Sequence, residues 1–160
     1  MVLAAGASTR FGSPKQRLLL PSVLERVRQS AVDNVIVVLG AHDVETDART
    51  IRCAEWARGP GASLRCGLAA LAVDTEAAVV VLADGPRLAP AAVDRVIAHW
   101  RGHAGEVVAA TYGGQRSHPV LIERSAWDRV PDEGLKSFRA VTVACDDLGI
   151  PGDVDTPADL

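Results

Sequence analysis

A chain of 160 residues with 48% hydrophobic content has enough apolar material for one full core, and a single domain over residues 1–160 is expected. Its 17 Lys and Arg against 20 Asp and Glu leave a net charge of −3, which excludes a general electrostatic attraction to nucleic acid and requires any basic surface to be local. No apolar run approaches the ~20 residues of a membrane span, and no basic region precedes the first apolar run as in a secretory signal, so no membrane partner is expected.

Residues 1–5 form a short apolar run that reads as a strand, and the chain then breaks at Gly6 into small residues, with Gly12 closing the bend. Pro21 is a good opener for a helix whose Leu24, Val27 and Ala31 share a face, ending at Asp33-Asn34. Residues 35–39 are a β-branched run typical of a parallel strand covered on both faces. A short polar helix over 44–49 and a short strand over 51–54 are expected next. The Gly- and Pro-containing stretch 58–63 feeds a helix with Leu64, Leu68 and Leu71 on one side. Residues 77–83 are the strongest strand and end at Asp84-Gly85-Pro86. Pro90 starts a helix in which Val93, Val96, Ile97 and Trp100 keep helical spacing. Strands at 106–111 and 118–122, joined by Gly113-Gly114, read as a hairpin. Helical patches at 125–130 and 133–138 and a strand at 140–144 complete the pattern. Alternating strands and helices imply a mostly parallel sheet with an antiparallel portion from the hairpin. Ligands of such sheets lie beyond the carboxyl ends of the strands, where the Gly6 turn, Gly40 and Asp84 fall.

The chemistry concentrates at those ends. Small residues from Leu3, Ala4, Ala5 and Gly6 through Ser8 to Gly12 let backbone N–H groups converge on an anion, and Arg10 and Lys15, the latter read as an exposed loop cation, add positive charge. A polyphosphate suits that combination. The spacing is not that of a Walker loop, since Ser13 rather than Lys follows Gly12, nor of a dinucleotide fingerprint, since Ser8 and Phe11 stand where glycines are needed. Asp84 is the first charge after a long apolar strand and is well placed for Mg²⁺, which takes hard oxygen ligands. Its alternative is a turn residue capping Pro86-Arg87. Asp153 and Asp155 alternate onto one side of an extended segment, and Asp155 or Thr156 before Pro157 is also good helix-capping grammar. Ser63 reads either as a ligand contact or as an N-cap. His118 reads as structural or as touching substrate, while His42, His99 and His103 lack ligand spacing and read as surface residues. Trp56, Trp100 and Trp127 read as packing residues. Cys53, Cys66 and Cys145, odd in number and without C-x-x-C spacing, read as reduced thiols of a cytoplasmic protein.

The pattern L-A-A-G-x-S-x-R-x-G-x-x-K over Leu3 to Lys15 resembles the signature of the MobA-like nucleotidyltransferases. The Asp84-Gly85-Pro86, Ser117-His118-Pro119-Val120 and Asp153-Val154-Asp155-Thr156-Pro157 segments resemble further family elements, in family order, and Gly61 to Gly67 resembles another that is one position longer. The resemblance implies a Rossmann-like three-layer α/β sandwich and transfer of a nucleotide from a nucleoside triphosphate to a phosphorylated acceptor, with Mg²⁺ as cofactor. It implies Arg10, Lys15 and Asp84 as catalytic groups and Asp84 and Asp155 on the metal. It further implies Ser63 and Arg65 beside the nucleotide and His118 on the acceptor side. Ala4-Ala5-Gly6 is more similar to the cytidylyltransferases acting on molybdopterin than to the guanylyltransferases, which favours CTP. Two alternatives stay open: a sugar-phosphate or alditol-phosphate nucleotidyltransferase, and a nucleotide-binding accessory protein without turnover.

Overall fold

The computed structural model describes residues 1–8, 11, 14–102 and 105–159. Among these, seven strands form one sheet: β1 (Val2–Ala4), β2 (Ile36–Leu39), β3 (Arg49–Arg52), β4 (Ala77–Leu82), β5 (Val107–Tyr112), β6 (Gln115–Glu123) and β7 (Val141–Ala144). The spatial order is β3-β2-β1-β4-β6-β5-β7. β1 pairs in parallel with β2 and β4, β2 with β3, and β5 with β7. β6 is the exception, antiparallel to both β4 and β5, with Val80 opposite Val120.

Strand alternation divides the core. Val2, Ala4, Val37 and Leu39 pack on one face against α1 (Gln16–Arg28) and α3 (Pro90–Gly102). Met1, Ile36, Val38 and Val80 pack on the other against α2 (Pro60–Ala69) and the 3₁₀ turn Arg124–Arg129. The result is the three-layer arrangement expected from the sequence. No helix among the described residues is long and apolar enough to cross a membrane.

Local expectations change in three places. α1 begins at Gln16, so Pro21 lies inside it. Leu19 and Leu20 extend the buried stripe of Val23, Leu24 and Val27 ahead of Pro21. The proline faces solvent, where the Arg17 carbonyl that loses its helical partner can be hydrated. The polar helix expected over 44–49 is absent. Val44 is buried against the α1 side, Thr46 Oγ1 accepts the Ala48 N–H, and β3 starts at Arg49 opposite Ile36. This edge strand exposes Thr50 and the charged Arg49 and Arg52, and those charges discourage further pairing. Finally, Cys53 and Cys66 are not separate thiols: they form a disulfide joining the end of β3 to α2, with their Cα atoms 5.7 Å apart. Cys145 is free and buried. Pairing of residues on different elements leaves no short spacing to read.

Candidate nucleotide site

β1 delivers the chain to the Gly6 turn. Ser8 takes a positive φ of 53° there, and its hydroxyl donates to Gln16 Oε1 at 2.8 Å. Gln16 Nε2 in turn donates to the Gly6 carbonyl at 2.7 Å. A buried amide at the start of α1 thereby braces the turn from within. His42, expected at the surface, holds the same turn through a ring nitrogen 2.9 Å from the Ala7 carbonyl oxygen. Gly40, after β2, is required by packing: a Cβ there would stand 2.6 Å from both the Ala5 carbonyl oxygen and Trp56 Cβ.

Lys15 ends the turn at the N-cap of α1. Its Nζ donates to Asp84 Oδ2 at 3.0 Å, to Asp155 Oδ1 at 3.3 Å and to the Val154 carbonyl at 2.7 Å. Its side chain is only 12% exposed, so it is not the exposed loop cation expected from the sequence. Burial opposes the ammonium, but the Asp84 and Asp155 carboxylates more than offset this and raise its pKa above the ordinary lysine value. The C-terminal segment is pinned alongside. Val154 N–H donates to the Asp84 carbonyl at 3.1 Å, and its side chain is buried with Phe11 and Leu19. With Val154 turned in, Asp153 and Asp155 turn out, as strand alternation requires. One oxygen from each of Asp84, Asp153 and Asp155 lies within 4.8 Å of the others. The turn that follows is capped by Asp159, whose Oδ2 accepts from Thr156 N at 2.7 Å and from Thr156 Oγ1 at 2.8 Å.

Between these groups lies a cavity of about 430 Å³. Leu3, Ala4, Ala5, Gly6 and Ser8 form one wall, Lys15, Asp84 and Asp155 the rim, and Leu82 and Ala83 the floor. Trp56, Gly59, Pro60 and Ser63 complete the lining. Gly59 is the N-cap of α2, so Ser63 sits within the helix rather than capping it. Gly59 has a φ of 138°, and a side chain there would strike the Asp132 carbonyl, which packs against the start of α2. Arg65 does not reach the cavity. Its guanidinium is bound instead to the Val130 carbonyl and to Asp132, which packs against the start of α2. Arg10 and Gly12 lie outside the described residues, as does His103. Asp84 also borders a second cavity of about 90 Å³, shared with Leu82, Ser117, His118, Gly152 and Asp153. Burial pushes the His118 pKa down to about 4 against the pull of Asp84, so the imidazole is neutral at neutral pH.

Residues 1–145 match the model of the MobA-like NTP transferase domain. The chain belongs to this family. As a MobA-like NTP transferase it is a nucleotidyltransferase, and the cavity stands where the sequence pattern put the nucleotide loop. It is 31% identical to Rv0371c from Mycobacterium tuberculosis H37Rv, over 99% of this chain and 93% of that one, with a TM-score of 0.78. A structure of Rv0371c from the same organism in complex with manganese is 27% identical, over 99% and 92%, with a TM-score of 0.74. Molybdopterin-guanine dinucleotide biosynthesis protein A from Archaeoglobus fulgidus shares the fold at 17% identity, over 99% and 92%, with a TM-score of 0.72. No curated protein matches the chain.

A family member of this kind is expected to use a divalent cation, and the carboxylates of Asp84, Asp153 and Asp155 fit one: all three offer hard oxygen donors at one point of the rim. Trp56 and Gln16 were missed as site residues by sequence reasoning. Gln16 directly follows Lys15, which was a usable signal. Trp56 sits in an unpatterned turn and gave none.

Proposed function

We propose that this MobA-like NTP transferase moves the nucleoside monophosphate of a nucleoside triphosphate onto a phosphorylated acceptor. CTP is the favoured donor, from Ala4-Ala5-Gly6, and molybdopterin the favoured acceptor. One observation carries the reading: the Lys15 ammonium joins Asp84 to Asp155 at the rim of a cavity walled by the Gly6 turn. A phosphate oxygen of the acceptor attacks the α-phosphorus and forms the new P–O bond. The α–β bridging P–O bond breaks, and its electron pair leaves with pyrophosphate.

The chain's part is positioning and charge neutralisation, which dominate phosphoryl transfer. Backbone N–H groups of the turn from Gly6 to Gly12 cradle the β- and γ-phosphates. Arg10 and Lys15 offset the negative charge gathering on the leaving group and the α-phosphate. Trp56 and Ala5 flank the base, with Ser63 beside the nucleotide. Asp84 and Asp155, with Asp153 beside them, would hold Mg²⁺, which when bound neutralises phosphate oxygens. The manganese complex of Rv0371c supports a divalent cation of this class. His118, which shares the small cavity with Asp84 and Leu82, would meet the acceptor.

The test is pyrophosphate release with each triphosphate against molybdopterin, then against sugar and alditol phosphates. CTP with molybdopterin is expected to react fastest. A faster reaction with a sugar or alditol phosphate would replace the acceptor, and no release with any pair would sink the reading.

A further inference from the structure

Positive charge that the fold does not use up lies on β6 close to His118. Arg116 lies on β6, two residues before His118, and is partly buried. Its Nη1 donates to the Phe138 carbonyl and its Nη2 to the Leu135 carbonyl, each at 2.8 Å. Those carbonyls flank Lys136 in the 3₁₀ turn Gly134–Ser137, so Arg116 fastens that turn, and the Lys136 that it carries, to the sheet. A guanidinium has five N–H donors, and these contacts occupy two of its nitrogens with one acceptor each.

Among the described residues, neither Arg116 nor Lys136 has an ion-pair partner, whereas Arg58, Arg65, Arg95 and Arg129 all meet carboxylates. Holding a partly buried guanidinium without a counter-charge is unfavourable unless an anion completes it. Both cations disfavour protonation of His118, which lines the small cavity together with Asp84. Leu82, 36% exposed, lines both that cavity and the larger one beside the Gly6 turn.

We propose that Arg116 and Lys136 form an oxyanion subsite for the acceptor, so that the acceptor carries a phosphate or carboxylate recognised beyond Asp84. The assignment rests on the nucleotidyl-transfer reading for the word acceptor, but the anion site itself is testable without turnover.

The probe is inorganic phosphate, followed by NMR at the Arg116 Nε–H and the His118 ring in the full chain. Phosphate is expected to move both signals saturably, and Lys136→Gln to weaken that titration at least fivefold. Lys136 is exposed, so this variant is expected to fold. Arg116→Gln, which gives up two carbonyl contacts, is a second variant, expected to abolish the response at His118. A second arm repeats the titration with CTP and Mg²⁺ already present. Persistence of the phosphate response assigns the subsite to the acceptor; its loss would give these cations to the triphosphate tail and overturn the proposal. An unmoved Arg116 signal, or the same titration in Lys136→Gln, would also overturn it. If CTP leaves the Gly6 and Gln16 signals unmoved, the nucleotide reading fails, while the phosphate titration still decides the subsite.

Discussion

Lys15 and Asp84 lie 69 residues apart in the chain, yet their side chains meet at 3.0 Å. The contact joins the first loop to the end of the central strand, and Asp155 closes it from the C-terminal side at 3.3 Å. Removing Lys15 therefore does two things. Lys15→Ala is expected to lower kcat about 100-fold or more, the scale of losing one electrostatic stabiliser. It also leaves Asp84 and Asp155 facing each other without their shared cation, which should cost about 1–3 kcal/mol of stability. Added Mg²⁺ should restore more melting temperature to the variant than it adds to the wild type. A variant that melts like wild type in the absence of divalent cations would contradict this coupling.

The acidic rim should be read out by metal titration. Asp84→Asn is expected to raise the Mg²⁺ or Mn²⁺ concentration needed for half-maximal activity at least tenfold, and Asp155→Asn to raise it less. Isothermal titration with Mn²⁺ measures the same loss without turnover. Unchanged Mn²⁺ affinity in Asp84→Asn would reduce that residue to a turn.

Trp56 lines the cavity together with Ala4 and Ala5. Stacking on a base contributes about 1–3 kcal/mol. Trp56→Ala should raise the KM for the triphosphate about 10-fold or more and leave the acceptor KM unchanged. Equal changes in both constants would point instead to collapse of the wall onto Gly40.

The Cys53–Cys66 bridge closes a loop of 13 residues that contains Trp56. A bridge over a loop of this size contributes about 2–4 kcal/mol. Melting with and without dithiothreitol should show a drop of that order, accompanied by weaker triphosphate binding because the Trp56 wall loosens. Cys53→Ser should reproduce both effects, and reductant should then have no further effect.

His118 gives a pH signature. Its folded pKa lies near 4, below the ordinary 6.5, so the unfolded chain takes up the proton first as pH falls. Stability contributed by the neutral imidazole is fully present above pH 6.5 and is lost progressively down to about pH 4. Melting curves across that interval should steepen this loss in the wild type relative to His118→Gln. Identical slopes would mean that the ring is exposed to solvent.

The parts of the fold that were readable have local causes. The β-branched run at 35–39 and the Gly113-Gly114 turn each determine their own neighbourhood, so β2 and the β5–β6 hairpin stand where they were expected. The 44–49 segment failed because its conformation is set from a distance, by burial of Val44 and by parallel pairing to β2. The site shows the same division. Small residues at the Gly6 turn and an acidic residue at a strand end are visible as types and spacings. The inward turn of Lys15, the pairing of Arg65 with Asp132 and the union of Cys53 with Cys66 all depend on which elements become neighbours, which residue types and spacings do not state.

Val154 is anchored to Asp84, and its neighbour Asp155 meets a lysine 140 positions earlier. During synthesis the nucleotide turn, the disulfide-linked wall and most of the sheet can assemble before this segment has left the ribosome. The acidic rim therefore closes only once Asp155 has emerged, and a nascent chain halted before Val154 would hold the Gly6 turn and Asp84 but leave Lys15 without its second carboxylate.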